Sequence, residues 1–181
     1  IRSGQPSIED GVATEHCRGV FAAAHQRDPH WYVTHESIRG RVAACAIDID
    51  QLYYWLHKHG LQYGPSYRTL CCAWNGQAQE MARLHRRVEQ HFACVHPADL
   101  DGALHLGCVK RMERDWRTTH LPFAVDSALL RDSLTRATWA LARQQICGTL
   151  TVSVSDSDGR VTAQLANLRL DVVHLFQSVK A

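Results

Sequence analysis

The segment at residues 95–107, Val-His-Pro-Ala-Asp-Leu-Asp-Gly-Ala-Leu-His-Leu-Gly, constrains the fold of this 181-residue chain more than any other. Pro97 suits the first turn of a helix, where its missing N–H would have no partner. Gly107 is expected to end the helix in a left-handed conformation. The residues between them are too apolar for a helix on the protein surface. The sequence therefore predicts a short buried helix that another layer of structure must cover.

Two of the ionisable residues inside this apolar segment form a candidate pair. Asp101 and His105 are four residues apart and would share one face of the helix. A buried carboxyl group needs a partner, and burial gives such groups the raised pKa that suits proton transfer. Taken alone, the spacing favours a pair that merely satisfies itself in a core. The flanking motifs favour a catalytic pair instead.

The rest of the chain is typical of an antiparallel sheet with a second helix. The helix is expected at residues 51–59, capped by Asp48 or Asp50. Asp-Ser-Asp-Gly at 156–159 indicates a hairpin turn, and residues 78–90 fit either a helix or a returning strand. Alternating or apolar strand candidates lie at residues 68–74, 120–125, 137–143, 149–155 and 161–173.

Four motifs, in this order, resemble those of polyketide synthase dehydratase domains. His-Gly-Leu-Gln-Tyr-Gly-Pro-Ser-Tyr at 59–67 resembles G-x-x-Y-G-P-x-F, and residues 96–105 resemble H-P-x-x-L-D-x-x-x-Q/H. Leu-Pro-Phe at 121–123 resembles the family's L-P-F strand, and residues 148–170 resemble its last two strands. Upstream, Glu-His-Cys-Arg-Gly at 15–19 resembles the end of the family's first hotdog.

This resemblance implies an α+β hotdog fold, in which an antiparallel sheet wraps around a central helix. The family fuses two hotdogs in one chain, and this chain resembles the second, C-terminal one. Residues 1–24 are then a remnant of the first hotdog, 25–47 a linker, and 48–181 the C-terminal hotdog. The H-x-x-x-G-x-x-x-x-P motif that carries the catalytic His of the first hotdog is absent from the sequence.

The resemblance further implies dehydration of 3-hydroxyacyl thioesters to enoyl thioesters within a polyketide synthase. Asp101 is the implied acid, with a His of the first hotdog as base. His105 could hold Asp101 or bind the substrate hydroxyl. No cofactor is expected, because the substrate is carried on the phosphopantetheine of an acyl carrier protein. The expected partners are that carrier, the first hotdog half and other synthase domains, with a homodimer in the full synthase.

Two short motifs are expected to contact the substrate. Tyr63 could donate a hydrogen bond in the site, although a packing aromatic before Gly-Pro is an equal alternative. Gly64 and Pro65 would shape the turn beside it. Leu121, Pro122 and Phe123 would line the acyl tunnel, and the alternative for them is an ordinary edge strand, where proline is tolerated.

Other functions remain compatible with the same residues. A double-bond isomerase or cyclase could use Asp101 and a His as proton relays in the same cavity. A non-catalytic structural domain is the third possibility. The intact Asp101 and His105 weigh against it, because an apolar residue in place of a buried carboxylate costs a structural element little.

Composition excludes several classes of protein. A net charge of +2 without a basic stripe argues against nucleic-acid binding, and no apolar run reaches the roughly 18 residues of a membrane span. His57, His59, Cys71 and Cys72 fit no common zinc spacing, so no metal is expected. Seven irregularly spaced cysteines and the lack of a signal peptide predict a reduced, cytoplasmic protein.

The cysteine pattern makes the first testable prediction. All seven cysteines should titrate as free thiols when the chain is denatured without reductant, because an odd count at irregular spacings does not form a disulfide framework. The measurement is a thiol count with a chromogenic disulfide reagent. Two or more stable intrachain disulfides would contradict the expected reducing compartment.

Overall fold

The computed structural model describes residues 2–3, 14–15, 18–20, 32–33, 45–87, 95–110, 118–131 and 136–173. The α-helices that lie wholly within these ranges are α1 (Ile49–Lys58) and α2 (Pro97–Leu106), and a 3₁₀ turn spans Pro65–Tyr67. The strands are β1 (Arg2–Ser3), β2 (Thr14–Glu15), β3 (Cys45–Ile47), β4 (Leu70–Asn75), β5 (Gln79–Leu84), β6 (Thr119–Ala124), β7 (Ser127–Leu130), β8 (Trp139–Gln144), β9 (Leu150–Ser155) and β10 (Val161–Val173). Neither helix in these ranges is long and apolar enough to cross a membrane.

Eight of the strands form one antiparallel sheet. Its order is β3-β4-β5-β8-β9-β10-β6, with β7 paired to β10. The 13-residue strand β10 pairs with β7 over residues 163–166 and with β6 over residues 169–173. Asn167, with φ of 53°, lies where the pairing of β10 with β9 shifts register, and such bulges bend a strand. β10 is therefore one long, bent strand that pairs with β6, β7 and β9.

Helix α2 packs against β5, β8 and β9, as the sequence predicts for a buried helix. Ala98, Ala103 and Leu106 are completely buried. At Gly102 the helix comes so close to the sheet that a Cβ atom would collide with Oγ1 of Thr69. That hydroxyl donates a hydrogen bond to the carbonyl of Ala98 over 3.2 Å. The α+β hotdog prediction is confirmed by this arrangement.

The two ends of α2 form in different ways. Pro97 occupies the first turn as predicted, and His96 caps it by accepting a hydrogen bond from the N–H of Ala98 at its Nδ1 (3.1 Å). The left-handed conformation expected of Gly107 is wrong, since its φ is −63°. Space is tight at this position, because a Cβ atom would run into the end of the Leu150 side chain unless that side chain moved.

Most of the helices and strands predicted from local sequence patterns are confirmed within the described ranges. Asp48 caps α1 by accepting a hydrogen bond from the N–H of Gln51 (3.0 Å), and Gly60 follows the helix with φ of 81°. The ambiguous residues 78–90 contain strand β5 and no helix in the part that is described. β3 lies within the residues expected to be a linker, and β7 was not predicted. Both strands are short and largely exposed, so neither shows an alternating pattern.

The contact at Gly102 makes a stability prediction. Gly102→Ala should destabilise the protein by about 1–3 kcal/mol, the usual cost of overpacking, although alanine is the better helix former. Gly64→Ala is the matched control, because open space surrounds its Cβ position and its φ is −74°. It should change stability by less than about 0.5 kcal/mol. Urea unfolding measures both, and equal stability of the two variants would contradict the close packing of α2.

Candidate active site

Asp101 and His105 lie side by side on α2. The Nε2 atom of His105 is 3.2 Å from Oδ2 of Asp101, but the geometry of this contact falls short of a hydrogen bond. The imidazole is almost completely buried, with 2% of its side chain exposed, whereas 27% of the Asp101 side chain is exposed. Asp101 is thus less buried than the sequence analysis expects. Its carboxylate borders the interior and stays accessible from outside.

A second carboxylate on the same helix is the more deeply buried one. Only 7% of the Asp99 side chain is exposed, and its Oδ1 accepts a hydrogen bond from Nε of Arg87 over 2.9 Å. Asp99 also lies in the first turn of α2, where negative charge is favourable. Sequence reasoning missed this pair. The sequence feature that could have indicated it is the additional acidic residue at the start of an apolar helix.

Two tyrosines surround the ring of His105. The hydroxyl of Tyr53, on α1, is 3.3 Å from Nδ1 of His105, and the two rings meet edge to face. The ring of Tyr63, from the loop after α1, lies 4.1 Å from the imidazole between centroids. The role of Tyr53 was not predicted, because no local pattern separates it from other apolar-face residues of α1. Tyr63 thus lies at the Asp101–His105 pair.

Both tyrosines keep their phenolic protons well above neutral pH. Burial is the largest cause of the raised pKa of Tyr63, and the negative charge of Asp101 raises it further. Burial also raises the pKa of Tyr53, against backbone N–H groups that lower it. Each phenol can therefore donate a hydrogen bond throughout the physiological pH range.

The Tyr-Gly-Pro loop is held from two directions. Arg68 donates from Nε to the carbonyl of Tyr63 (3.0 Å), and Arg87 donates from Nη2 to the carbonyl of Ser66 (3.1 Å). Because Arg87 also binds Asp99, one guanidinium links this loop to α2. Exposed Gly64 and Pro65 lie within the loop and lead into its 3₁₀ turn. The contacts keep Tyr63 beside His105.

The Leu-Pro-Phe motif lies at the edge of the sheet, on β6. Leu121 is half-buried, Pro122 is exposed, and Phe123 is 75% exposed. Pro122 opposes Leu170 of β10, in a strand at the end of the sheet order where proline is tolerated. The close contacts around His105 come from α1, α2 and the loop after α1. Across the described ranges, no group of three or more His, Cys, Asp or Glu side chains is arranged to hold a metal ion.

Known proteins share both the sequence pattern and the fold. The family model described as polyketide synthase dehydratase N-terminal domain matches residues 34–175. Polyketide synthase ThaG of Burkholderia thailandensis is 31% identical over 118 residues, which are 65% of this chain and 2% of that synthase. Erythronolide synthase EryA2 of Saccharopolyspora erythraea is 25% identical over 167 residues, which are 89% of this chain and 4% of that synthase.

Solved dehydratase domains have a similar fold. The domain from the CurF module of curacin polyketide synthase superimposes with a TM-score of 0.70 at 23% identity, over 79% of this chain and 53% of that one. A trans-AT polyketide synthase dehydratase from Brevibacillus brevis gives 0.71 at 23% identity, over 79% and 54%. The chain thus spans about half the length of these solved domains and a small part of the curated synthases.

The family description names an N-terminal domain, whereas the D-x-x-x-H spacing at Asp101 resembles the second hotdog. The family match therefore does not by itself assign the chain to one half. It does cover most of the chain and agrees with the fold of the solved domains. The chain belongs to the polyketide synthase dehydratase family.

Proposed function

We propose that this chain is the acid-bearing, second hotdog of a dehydratase that converts 3-hydroxyacyl-carrier-protein thioesters to enoyl thioesters. The observation that carries the proposal is the position of Asp101. Its carboxylate lies 3.2 Å from a buried imidazole, beside two phenols that hold their protons, yet a quarter of its side chain is open to an incoming ligand. A proton donor for a substrate hydroxyl must be held in place by neighbouring groups and must also be reachable by the substrate.

The reaction explains why a carboxyl group suits this place. A base removes a proton from C2 of the substrate, and the C–H electron pair becomes the new double bond. The C3 oxygen departs with its bonding electrons and must receive a proton, so that water leaves. In the proposal Asp101 gives that proton. The base is a histidine of the first hotdog, since the family's H-x-x-x-G-x-x-x-x-P motif is absent from this sequence.

Similar proteins support the need for both groups. Two solved dehydratases from the CurK module of curacin synthase are described as inactive mutants, one with Asp changed to Asn and one with His changed to Phe. Both share the fold of this chain, with TM-scores of 0.69 and 0.70. An acid and a base on separate residues account for such losses, and Asp101 is the candidate for the acid here.

The remaining parts of the site follow from the same proposal. Tyr63 would donate to the substrate from the loop that Gly64 and Pro65 shape, and residues 121–123 would guide the acyl chain. The substrate would arrive on the phosphopantetheine of an acyl carrier protein, with no further cofactor. A cytoplasmic synthase dimer with neighbouring synthase domains is the proposed setting.

Replacement of the acid tests the proposal directly. In the dehydratase that contains this chain together with a first hotdog, Asp101→Asn should lower turnover by roughly 10²–10⁴-fold, the usual contribution of a positioned acid. Stability should change little, because the amide keeps the size of a side chain that is partly solvated. Mass spectrometry of the carrier-bound product measures the loss of water, and a melting curve measures stability.

Asp99→Asn is the matched control, two residues away on the same helix. It should destabilise the protein by about 1–3 kcal/mol, because it leaves the partly exposed Arg87 without its carboxylate. Turnover per folded molecule should stay near that of the parent. Full turnover by Asp101→Asn would show that Asp101 is not the acid. A product that keeps its oxygen but has a moved double bond or a ring would identify an isomerase or cyclase.

A further inference from the structure

The buried imidazole of His105 has a different group on each side. Its Nδ1 faces the hydroxyl of Tyr53 at 3.3 Å, and its Nε2 faces Oδ2 of Asp101 at 3.2 Å. Tyr53 is itself only 4% exposed and reaches the ring from α1, 52 residues away in sequence. A neutral imidazole carries a proton on only one of its two ring nitrogens. If Nδ1 accepts a hydrogen bond from Tyr53, the ring proton must be on Nε2, which faces Asp101.

The surroundings of Tyr53 favour one direction for its hydrogen bond. Backbone hydrogen bonds from Leu70 and Thr69 lower the pKa of the phenol, so its oxygen already acts as an acceptor. Burial meanwhile raises the pKa of the phenol, so its proton is retained. Nδ1 of His105, 3.3 Å from the hydroxyl, is placed to accept that proton.

We propose that Tyr53 is a positioning residue for the acid: by donating to Nδ1 of His105, it holds the imidazole in the tautomer whose proton is on Nε2, facing Asp101. This inference rests on the proposed function of Asp101. It adds a residue from another helix, which the D-x-x-x-H motif does not contain.

The tautomer matters for where the acidic proton of Asp101 is held. With a proton on Nε2 of His105, Oδ2 of Asp101 is an acceptor, and the carboxyl proton is held on Oδ1, free for the C3 hydroxyl. The opposite tautomer would present a lone pair at Nε2 and draw the carboxyl proton toward His105. The 3.2 Å contact between Nε2 and Oδ2 falls short of hydrogen-bond geometry, so the proposal requires these two atoms to align during the reaction.

Nitrogen NMR of ¹⁵N-histidine-labelled protein reads the tautomer without any measurement of activity. The His105 signals, assigned by their loss in His105→Gln, should report a proton on Nε2 in the parent. Tyr53→Phe should populate the Nδ1-protonated form. Tyr54→Phe is the matched control on the next residue of α1, where the ring is 61% exposed, and should leave the signals unchanged. A parent protonated on Nδ1, or a Tyr53→Phe spectrum identical to that of the parent, would overturn the inference.

A double-mutant cycle tests the catalytic consequence. Tyr53→Phe should lower kcat roughly tenfold with little change in KM, since one neutral hydrogen bond is worth about one factor of ten. In a His105→Gln background the same change should have almost no effect on kcat, because an amide always offers an N–H and has no tautomer to control. Equal losses of kcat in both backgrounds would show that the hydroxyl only packs, and would overturn the inference.

The two proposals fail separately. Full turnover by Asp101→Asn would show that Asp101 is not the acid. The nitrogen signals of His105 would still show whether Tyr53 sets the tautomer. Conversely, unchanged nitrogen signals in Tyr53→Phe would remove the positioning role and leave Asp101 as the acid.

Discussion

The burial of α2 against the sheet is the constraint on which the rest of the structure depends. Residues with small side chains allow the approach, above all Gly102, whose missing Cβ leaves room for Thr69. Interiors pack to near-crystalline density, so one such contact determines where the whole helix lies. It also determines where Asp99, Asp101 and His105 lie, because all three are rigidly attached to that helix.

Two carboxylates on one helix have different environments. Asp99 is buried and neutralised by Arg87, which binds it and the Tyr-Gly-Pro loop at once. A buried charge is tolerated when it is paired and hydrogen-bonded, so Asp99 suits a structural role. Asp101 faces an imidazole and remains partly accessible. This difference in environment, rather than the residue type, makes Asp101 the candidate for proton transfer.

Membership of the polyketide synthase dehydratase family places this arrangement in context. The chain spans about half of the solved dehydratase domains, and its sequence lacks the histidine motif expected of a first hotdog. The site around Asp101 is formed within one hotdog, from α1, α2 and the loop between α1 and β4. The proposed base comes from outside this chain, so acid and base would meet only when the two halves pack together.

The sequence by itself determined the features that depend on near neighbours. Periodicity, the capping residue Asp48 and the Asp-Ser-Asp-Gly turn predicted most strands and both helices, because period and turn chemistry act within a few residues. Ordered motifs identified the family and placed Asp101 and His105 on one helical face. Residues 88–90, the end of the segment 78–90 that fits either a helix or a strand, lie outside the described ranges.

Only the tertiary structure decided what depends on distant partners. β7 pairs with an edge of β10, and the constraint at Gly107 comes from the nearby side chain of Leu150 rather than from its own backbone angle. The burial of Asp99 in preference to Asp101 depends on Arg87. The contact of Tyr53 with His105 joins residues 52 positions apart. No local pattern encodes such pairings, because they arise when α1 and α2 pack in one core.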